Sequence, residues 1–344
     1  MPTNSKAPWY IRPFRAINTR VTEFLDRRPH RSFRRTRRRD YVRSLELPGY
    51  IAFTREVNRT LWGYRKLFLL LALVYAVLYG VLVGIGSQET YTQLTDTLRE
   101  TSNGVLDGNW GELGKAGLLF VSIAGTGLAA APSEVQQVYA ILIALLVWVT
   151  TVWLLRQVLA GHKVRLRDGL YNAGTPLVAM FIVSLVFAVQ LLPIVFSLLG
   201  FSAASASGLL AGGVEAMLFW MAAGLLGILS IFWVTSTLFA MIVVTLPGTY
   251  PLKALRIAGD IVLGRRVRIL LRWVWMSVVA ALAWVIVMIP IILFDTWLKS
   301  VWPALEWLPL IPVVLLAMTS VTVVWIASYV YLLYRKVVEN DAAQ

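Results

Sequence analysis

The feature that most constrains this sequence is a set of six apolar stretches that contain no Asp, Glu, Lys or Arg. A helix needs about 20 residues to cross the hydrocarbon core of a bilayer; each stretch reaches that length approximately, and the fourth and sixth exceed it. Charged residues make up only 15% of the chain, whereas soluble domains hold about 25%. The sequence therefore predicts an all-α, polytopic membrane helix bundle with six transmembrane helices, at 67–85, 138–155, 177–199, 216–246, 273–294 and 308–334.

Basic residues are concentrated on one side of these spans. Of the 32 Lys and Arg residues, only Arg99, Lys115 and Lys299 fall in segments that would lie on the other side. Short loops rich in Lys and Arg stay in the cytoplasm when a membrane protein inserts. The sequence therefore predicts a multi-pass protein of the cell (cytoplasmic) membrane with its N- and C-termini in the cytoplasm.

This topology divides the chain into three regions. Residues 1–48 form a basic cytoplasmic arm that is partly disordered or interfacial, and residues 337–344 form a short cytoplasmic tail. Residues 49–336 form the transmembrane domain, which includes an outer loop at 87–136. A loop of that length is usually functional or disordered.

The arm contains an arginine run whose members are predicted to contact anionic lipid: Arg34, Arg35, Arg37, Arg38 and Arg39. An anionic leaflet attracts each basic residue near its surface by about 1 kcal/mol. The alternative is an unstructured arm that only sets the topology. Nucleic acid is disfavoured as a partner because an arginine run reads no base sequence and the nearby membrane competes for it.

An amphipathic stretch leads into each of three predicted helical hairpins, which suggests three repeated units. The stretches lie at 53–64, 164–174 and 251–268, and each places its apolar residues on one helix face. Such a helix lies in the membrane interface with its cations in water. The basic residues around the second and third stretches are expected to bind anionic headgroups, and they are Lys163, Arg165, Arg167, Arg265, Arg266, Arg268 and Arg272.

Residues that carry catalytic and metal chemistry are scarce in this sequence. The chain has no Cys, and His30 and His162 are its only histidines, so we expect no metal site. The sequence contains no Walker, HExxH or GxSxG motif. A lipid-modifying enzyme would have to use Asp168, Asp260 or His162 as its acid–base groups. We therefore expect a protein that is not an enzyme, with no catalytic residues and no cofactor.

Neutral polar groups and prolines inside the spans allow a second interpretation. Gln190 and Pro193 lie in the third span and Pro290 lies in the fifth. Polar side chains in spans usually form interhelical hydrogen bonds, but proline-broken helices also mark substrate sites in transporters. The alternative function is therefore a permease for an apolar or zwitterionic substrate.

One stretch suggests a family. The sequence PLKALRIAGDIVLGRRVRILLRW at 251–273 resembles the signature of a broad group of six-span membrane proteins. The group includes the YciC-like integral membrane proteins and the membrane domain attached to some glycerophosphodiester phosphodiesterases. The resemblance extends over 53–336 and includes RLRDGLYNAGTP at 165–176. It implies the six-span fold but no activity, because this chain does not contain the phosphodiesterase catalytic barrel.

The hypothesis that fits these features best is a non-enzymatic membrane protein that contacts lipid or forms the membrane subunit of a larger assembly. A protein partner or a homodimer is compatible with the pair Gly80 and Gly84 in the first span, because a GxxxG motif lets two helices approach closely. Membrane lipids with anionic headgroups are the expected ligands.

Overall fold

The computed structural model describes residues 47–84, residues 133–302 apart from 208 and 211, and residues 308–342. Nearly all of the predicted basic arm, most of the outer loop at 87–136 and the last two residues of the tail lie outside these ranges. The described residues form eight helices, which are α1 (Tyr50–Gly63), α2 (Arg65–Leu82), α3 (Glu134–Leu159), α4 (Leu166–Ala206), α5 (Val214–Val243), α6 (Pro251–Val262), α7 (Arg266–Val301) and α8 (Leu310–Ala342).

Six of these helices, namely α2, α3, α4, α5, α7 and α8, are long and apolar enough to cross a membrane. This confirms the predicted class, a helical membrane bundle with six candidate spans. Many of their large apolar side chains face outward, among them Val189 on α4, Leu225 on α5 and Ile286 on α7. In a soluble protein such surface would be an aggregation hazard, but in a bilayer it contacts lipid.

The first and third amphipathic stretches form short helices that are separated from the following span. α1 ends at Gly63 and α2 begins at Arg65, with Tyr64 between them outside helical geometry. α6 ends at Val262, and Gly264 then adopts a φ of +82° before α7 begins. A residue with positive φ cannot continue a right-handed helix, and glycine adopts that conformation at little cost.

The second amphipathic stretch does not form a separate helix, which differs from the repeated unit expected from the sequence. α4 runs without a break from Leu166 through Pro176 to Ala206 and spans 41 residues. No glycine within α4 has a positive φ, so the chain lacks the local conformation that ends α6. Beyond the third span, α4 continues through the glycine- and serine-containing residues from Gly200 to Ala206.

The last helix lies at the centre of the packing. α8 contacts α1, α2, α3, α5 and α7. Its Tyr329 is fully buried and meets the ring of Phe53 on α1 edge to face, with 4.9 Å between the ring centroids. α6 packs along α5 and also contacts α4.

The hairpin of α3 and α4 has an unusually close contact near its loop. A Cβ atom at Gly169 would lie 2.9 Å from the nearest side-chain carbon of Leu154 and 3.2 Å from Thr150. Only glycine fits there without a shift of its neighbours. This contact fixes the start of α4 against the end of α3, and the two cavities described below lie beside that junction.

Candidate lipid-headgroup site

A basic cavity lies where two chain connections meet at one end of the bundle. It has a volume of about 470 Å³ and is formed by the junction of α1 and α2 together with the loop from α3 to α4. Four of its lining residues carry basic groups, and they are Arg65, Lys66, His162 and Lys163. None of the described residues in its lining is acidic.

Local backbone geometry places these groups. The break at Tyr64 starts α2 at Arg65, so Arg65 and Lys66 occupy its first turn. On the other side, Gly161 has a φ of +85° and the His162 N–H donates to the Gln157 carbonyl. The chain therefore turns sharply after α3 and brings His162 and Lys163 beside the start of α2.

The cavity has an excess of positive charge that the described residues do not neutralise. None of the ion pairs within those residues involves Arg65, Lys66 or Lys163. The Arg65 guanidinium lies 5.4 Å from the centroid of the Trp62 ring, which is cation–π distance. The lining also includes the apolar residues Leu67, Val158 and Val164. A lining that combines cationic and apolar side chains is complementary to a phosphate headgroup with an attached acyl chain.

Four of the loop cations that were expected at headgroups have exposed side chains. Lys163 lines the cavity, and Arg165, Arg167 and Arg268 are exposed beside helix starts. Asp168 accepts a hydrogen bond from the Arg165 backbone N–H at 3.1 Å and approaches the Arg167 guanidinium at 3.9 Å. The arginines at 34, 35, 37, 38 and 39 lie outside the described residues, so their predicted role stays a prediction.

Two of the expected headgroup contacts are instead engaged within the protein. Arg265 is buried and binds the carboxylate of Asp341 at the end of α8. Arg272 is also buried, donates to the Pro48 carbonyl and lies 4.3 Å from the centroid of the Tyr50 ring. Arg265 directly follows the break at Gly264 and meets the end of α8, and Arg272 meets the residues at the start of α1. Arg265 and Arg272 are therefore no longer expected to contact lipid headgroups.

Arg266 has a third kind of environment. Its guanidinium lies 3.6 Å from the centroid of the Phe232 ring on α5 and donates to the Phe232 carbonyl at 2.6 Å. The side chain is held by α5, although part of it stays exposed.

The polar groups of the proposed substrate passage are used in packing between α4 and α5. The Gln190 side-chain carbonyl accepts from the Thr237 hydroxyl, and the Gln190 backbone carbonyl accepts from Ser230 at 2.7 Å. Pro193 is half-buried on α4, whereas Pro290 is exposed on α7. α4 packs against α3 and α5, and α7 packs against α8 and α5. This arrangement favours interhelical bonding over a polar passage.

Sequence reasoning identified Lys163 but not the partners that complete the basic cavity. Arg65 and Lys66 are nearly a hundred residues away in sequence from His162 and Lys163. The sequence did contain a signal for this proximity. The segment just before the first span and the segment just after the second span are expected on the same side of the membrane. Their pairing follows from the packing of α2 against α3.

Comparisons with protein-family models, with curated proteins and with solved structures found no match. The resemblance to the YciC-like group therefore stays a prediction.

Proposed function

We propose that this multi-pass helical membrane protein binds anionic phospholipid headgroups in the basic cavity at the cytoplasmic end of its bundle. The observation that carries the proposal is the convergence of Arg65, Lys66, His162 and Lys163 on one opening, where the part of the chain that the structure describes contributes no acidic residue.

The position of the cavity supports a lipid over a soluble anion. It lies between the first turn of α2 and the last turn of α3, and both are candidate spans. The ends of spans are at headgroup depth in a bilayer of about 30 Å hydrocarbon thickness. The apolar lining residues would contact the glycerol and the upper acyl carbons, while the cations would bind the phosphate oxygens.

We also propose that the protein has no catalytic chemistry at this cavity and acts as a lipid-contacting bundle or as the membrane subunit of an assembly. Among the described residues that line the cavity, His162 is the one imidazole, and no carboxylate stands beside it. General acid–base catalysis needs a positioned pair of groups. The lining therefore fits binding better than reaction.

The test is lipid retention by the full chain, measured by native mass spectrometry after reconstitution with equal amounts of phosphatidylglycerol and phosphatidylethanolamine. The wild type is expected to retain phosphatidylglycerol preferentially. The double variant Arg65→Gln/Lys163→Gln should lose most of that preference, because each basic residue contributes about 1 kcal/mol, or roughly a fivefold change.

The matched control is Arg59→Gln, which removes a cation that is exposed on α1, does not line the cavity and is not among the expected headgroup contacts. It should retain the wild-type preference. Absence of retained phosphatidylglycerol in the wild type, or an unchanged amount of it in the double variant, would show that the cavity does not bind anionic headgroups.

A further inference from the structure

A second cavity lies on another side of the α3 terminus and has different chemistry. It has a volume of about 330 Å³ and is formed by the last turns of α3, the first part of α4 and the loop from α5 to α6. Of the described residues that line it, Arg156 alone is charged. No ion pair within the described residues involves Arg156, so its charge is available to a ligand.

Three hydrogen-bond donors line this cavity. The Arg156 guanidinium supplies several N–H groups in a planar fork. Within the described part of the chain, no hydrogen bond engages the Thr175 hydroxyl or the Gly248 N–H. Gly248 has a φ of +75° and lies in the loop that closes one side of the cavity. A guanidinium, a hydroxyl and a backbone N–H suit the several oxygens of a phosphate better than the two oxygens of a carboxylate.

Hydrogen-bond acceptors line the same cavity. Pro176 has no N–H, so the Asn172 carbonyl one helical turn earlier lacks its usual donor. The Thr245 hydroxyl donates to the Ile242 carbonyl at 2.7 Å, and the Thr249 hydroxyl lies 2.8 Å from the Val243 carbonyl. Both hydroxyl groups give their protons to the backbone, which leaves their oxygen lone pairs for a ligand.

We infer that this second cavity binds a small phosphate ester whose organic part carries hydroxyl or ammonium donors. Arg156, Thr175 and Gly248 would hold the phosphate, while Asn172 and the two threonine oxygens would accept from the organic part. The volume is at the lower end of the range for small-molecule sites, about 300–1,000 Å³. Such a group occurs both in soluble phosphate esters and in phospholipid headgroups, so the test must separate the two sources.

This inference is independent of the proposed function, because the two cavities share no lining residue. The basic cavity has three permanent cations and suits strongly anionic headgroups. The second cavity has one cation opposed by acceptors and suits a ligand that carries both an anionic group and hydrogen-bond donors.

The test is isothermal titration of the detergent-solubilised full chain with O-phosphoethanolamine, glycerol phosphate and ethyl phosphate. We expect the first two to bind and ethyl phosphate, whose organic part has no donor, to bind at least tenfold more weakly. Arg156→Gln should weaken binding by tenfold or more, and Thr175→Val by several-fold. Thermal unfolding of each variant without ligand checks that the fold is intact.

A parallel titration in nanodiscs that contain phosphatidylethanolamine separates the sources. Binding of the soluble esters assigns the site to free ligands. Failure of the soluble esters together with Arg156-dependent retention of phosphatidylethanolamine assigns it to a lipid headgroup. Either result supports the inference.

Two results would overturn it. One is that neither soluble ester nor lipid headgroup binds in a manner sensitive to Arg156→Gln. The other is that binding is abolished in Arg65→Gln/Lys163→Gln and unchanged in Arg156→Gln, which would place the ligand in the basic cavity.

Discussion

The guanidinium of Arg265 binds both carboxylate oxygens of Asp341, 76 residues away in sequence. The Arg265 side chain is completely buried, and that of Asp341 is 27% exposed. Arg265 also donates through Nε to the Ile261 carbonyl at 2.9 Å. This pair joins the junction of α6 and α7 to the last turn of α8, so the end of α8 is held against that junction.

Replacing Asp341 with Asn should destabilise the bundle strongly. The variant leaves the buried Arg265 charge without its carboxylate, and an uncompensated buried charge costs about 3–5 kcal/mol. The partial exposure of Asp341 places the expected loss near the low end of that range. Thermal unfolding of the full chain in detergent, followed by circular dichroism, measures the effect.

The control for that variant is Glu339→Gln in the same helix end. Glu339 pairs with Arg335 at 2.6 Å, but both side chains are about half exposed. Exposed i,i+4 pairs contribute only about 0.3–0.5 kcal/mol. If Asp341→Asn and Glu339→Gln shift the unfolding midpoint equally, the buried pair does not hold α8 in place.

The contact between Gln190 and Thr237 should stabilise the α4–α5 pair. Thr237→Val keeps the side-chain shape but removes the hydroxyl that donates to Gln190, and interhelical bonds of this kind contribute about 0.6–1.7 kcal/mol. Thr235→Val is the matched control, because the buried Thr235 hydroxyl bonds to Ile231 within its own helix. Equal unfolding midpoints for the two variants would contradict this assignment.

The Gly169 contact predicts opposite outcomes for two glycine substitutions in one helix. Gly169→Ala should destabilise the protein by about 1–3 kcal/mol, because its Cβ would meet Leu154 at 2.9 Å in a packed region. Gly174→Ala has open space around its Cβ and should stabilise α4 by about 0.5–1 kcal/mol. Unfolding midpoints of the two variants test the pair, and a stabilising Gly169→Ala would show that α3 and α4 are not in close contact there.

The orientation expected from the basic residues can be tested with single cysteines, since the chain has none of its own. Arg167→Cys lies at the start of α4 and Ser205→Cys at its far end, and both side chains are exposed. A membrane-impermeant maleimide should label Ser205→Cys in intact cells and Arg167→Cys only after permeabilisation. The reverse pattern would place the termini outside.

The six spans could be predicted from the sequence because transfer of a charged side chain into hydrocarbon is expensive, so an uncharged stretch of about 20 residues has few other uses. The ends of helices were less predictable. The break before α7 has a visible cause in Gly264, whereas the stretch before the third span also contains Gly169 and Gly174 but stays helical. Packing of Gly169 on Leu154, which no local pattern reports, favours the helix there.

Part of the candidate site was predictable in the same way. The basic character of Lys163 and its neighbours follows from composition, but which cations are exposed depends on tertiary contacts. Arg265 and Arg268 are three residues apart on a basic stretch and look equivalent in sequence. The first is buried against α8 and the second is exposed, because a carboxylate 76 residues away is within reach of only one of them.

The uninterrupted course of α4 has a consequence for how the chain can vary in length. Each residue added to a helix turns everything beyond it by about 100°, and α4 has no loop in which that rotation could be absorbed. One residue inserted between Gly169 and Gln190 would leave Gly169 against α3 but swing Gln190 away from Thr237. At Tyr64 and Gly264 the chain leaves helical geometry, so an insertion beside either residue does not rotate one continuous helix. In related sequences, insertions and deletions are therefore expected at those two junctions. The number of residues in α4 between the Gly169 contact and the Gln190 contact is expected to stay the same.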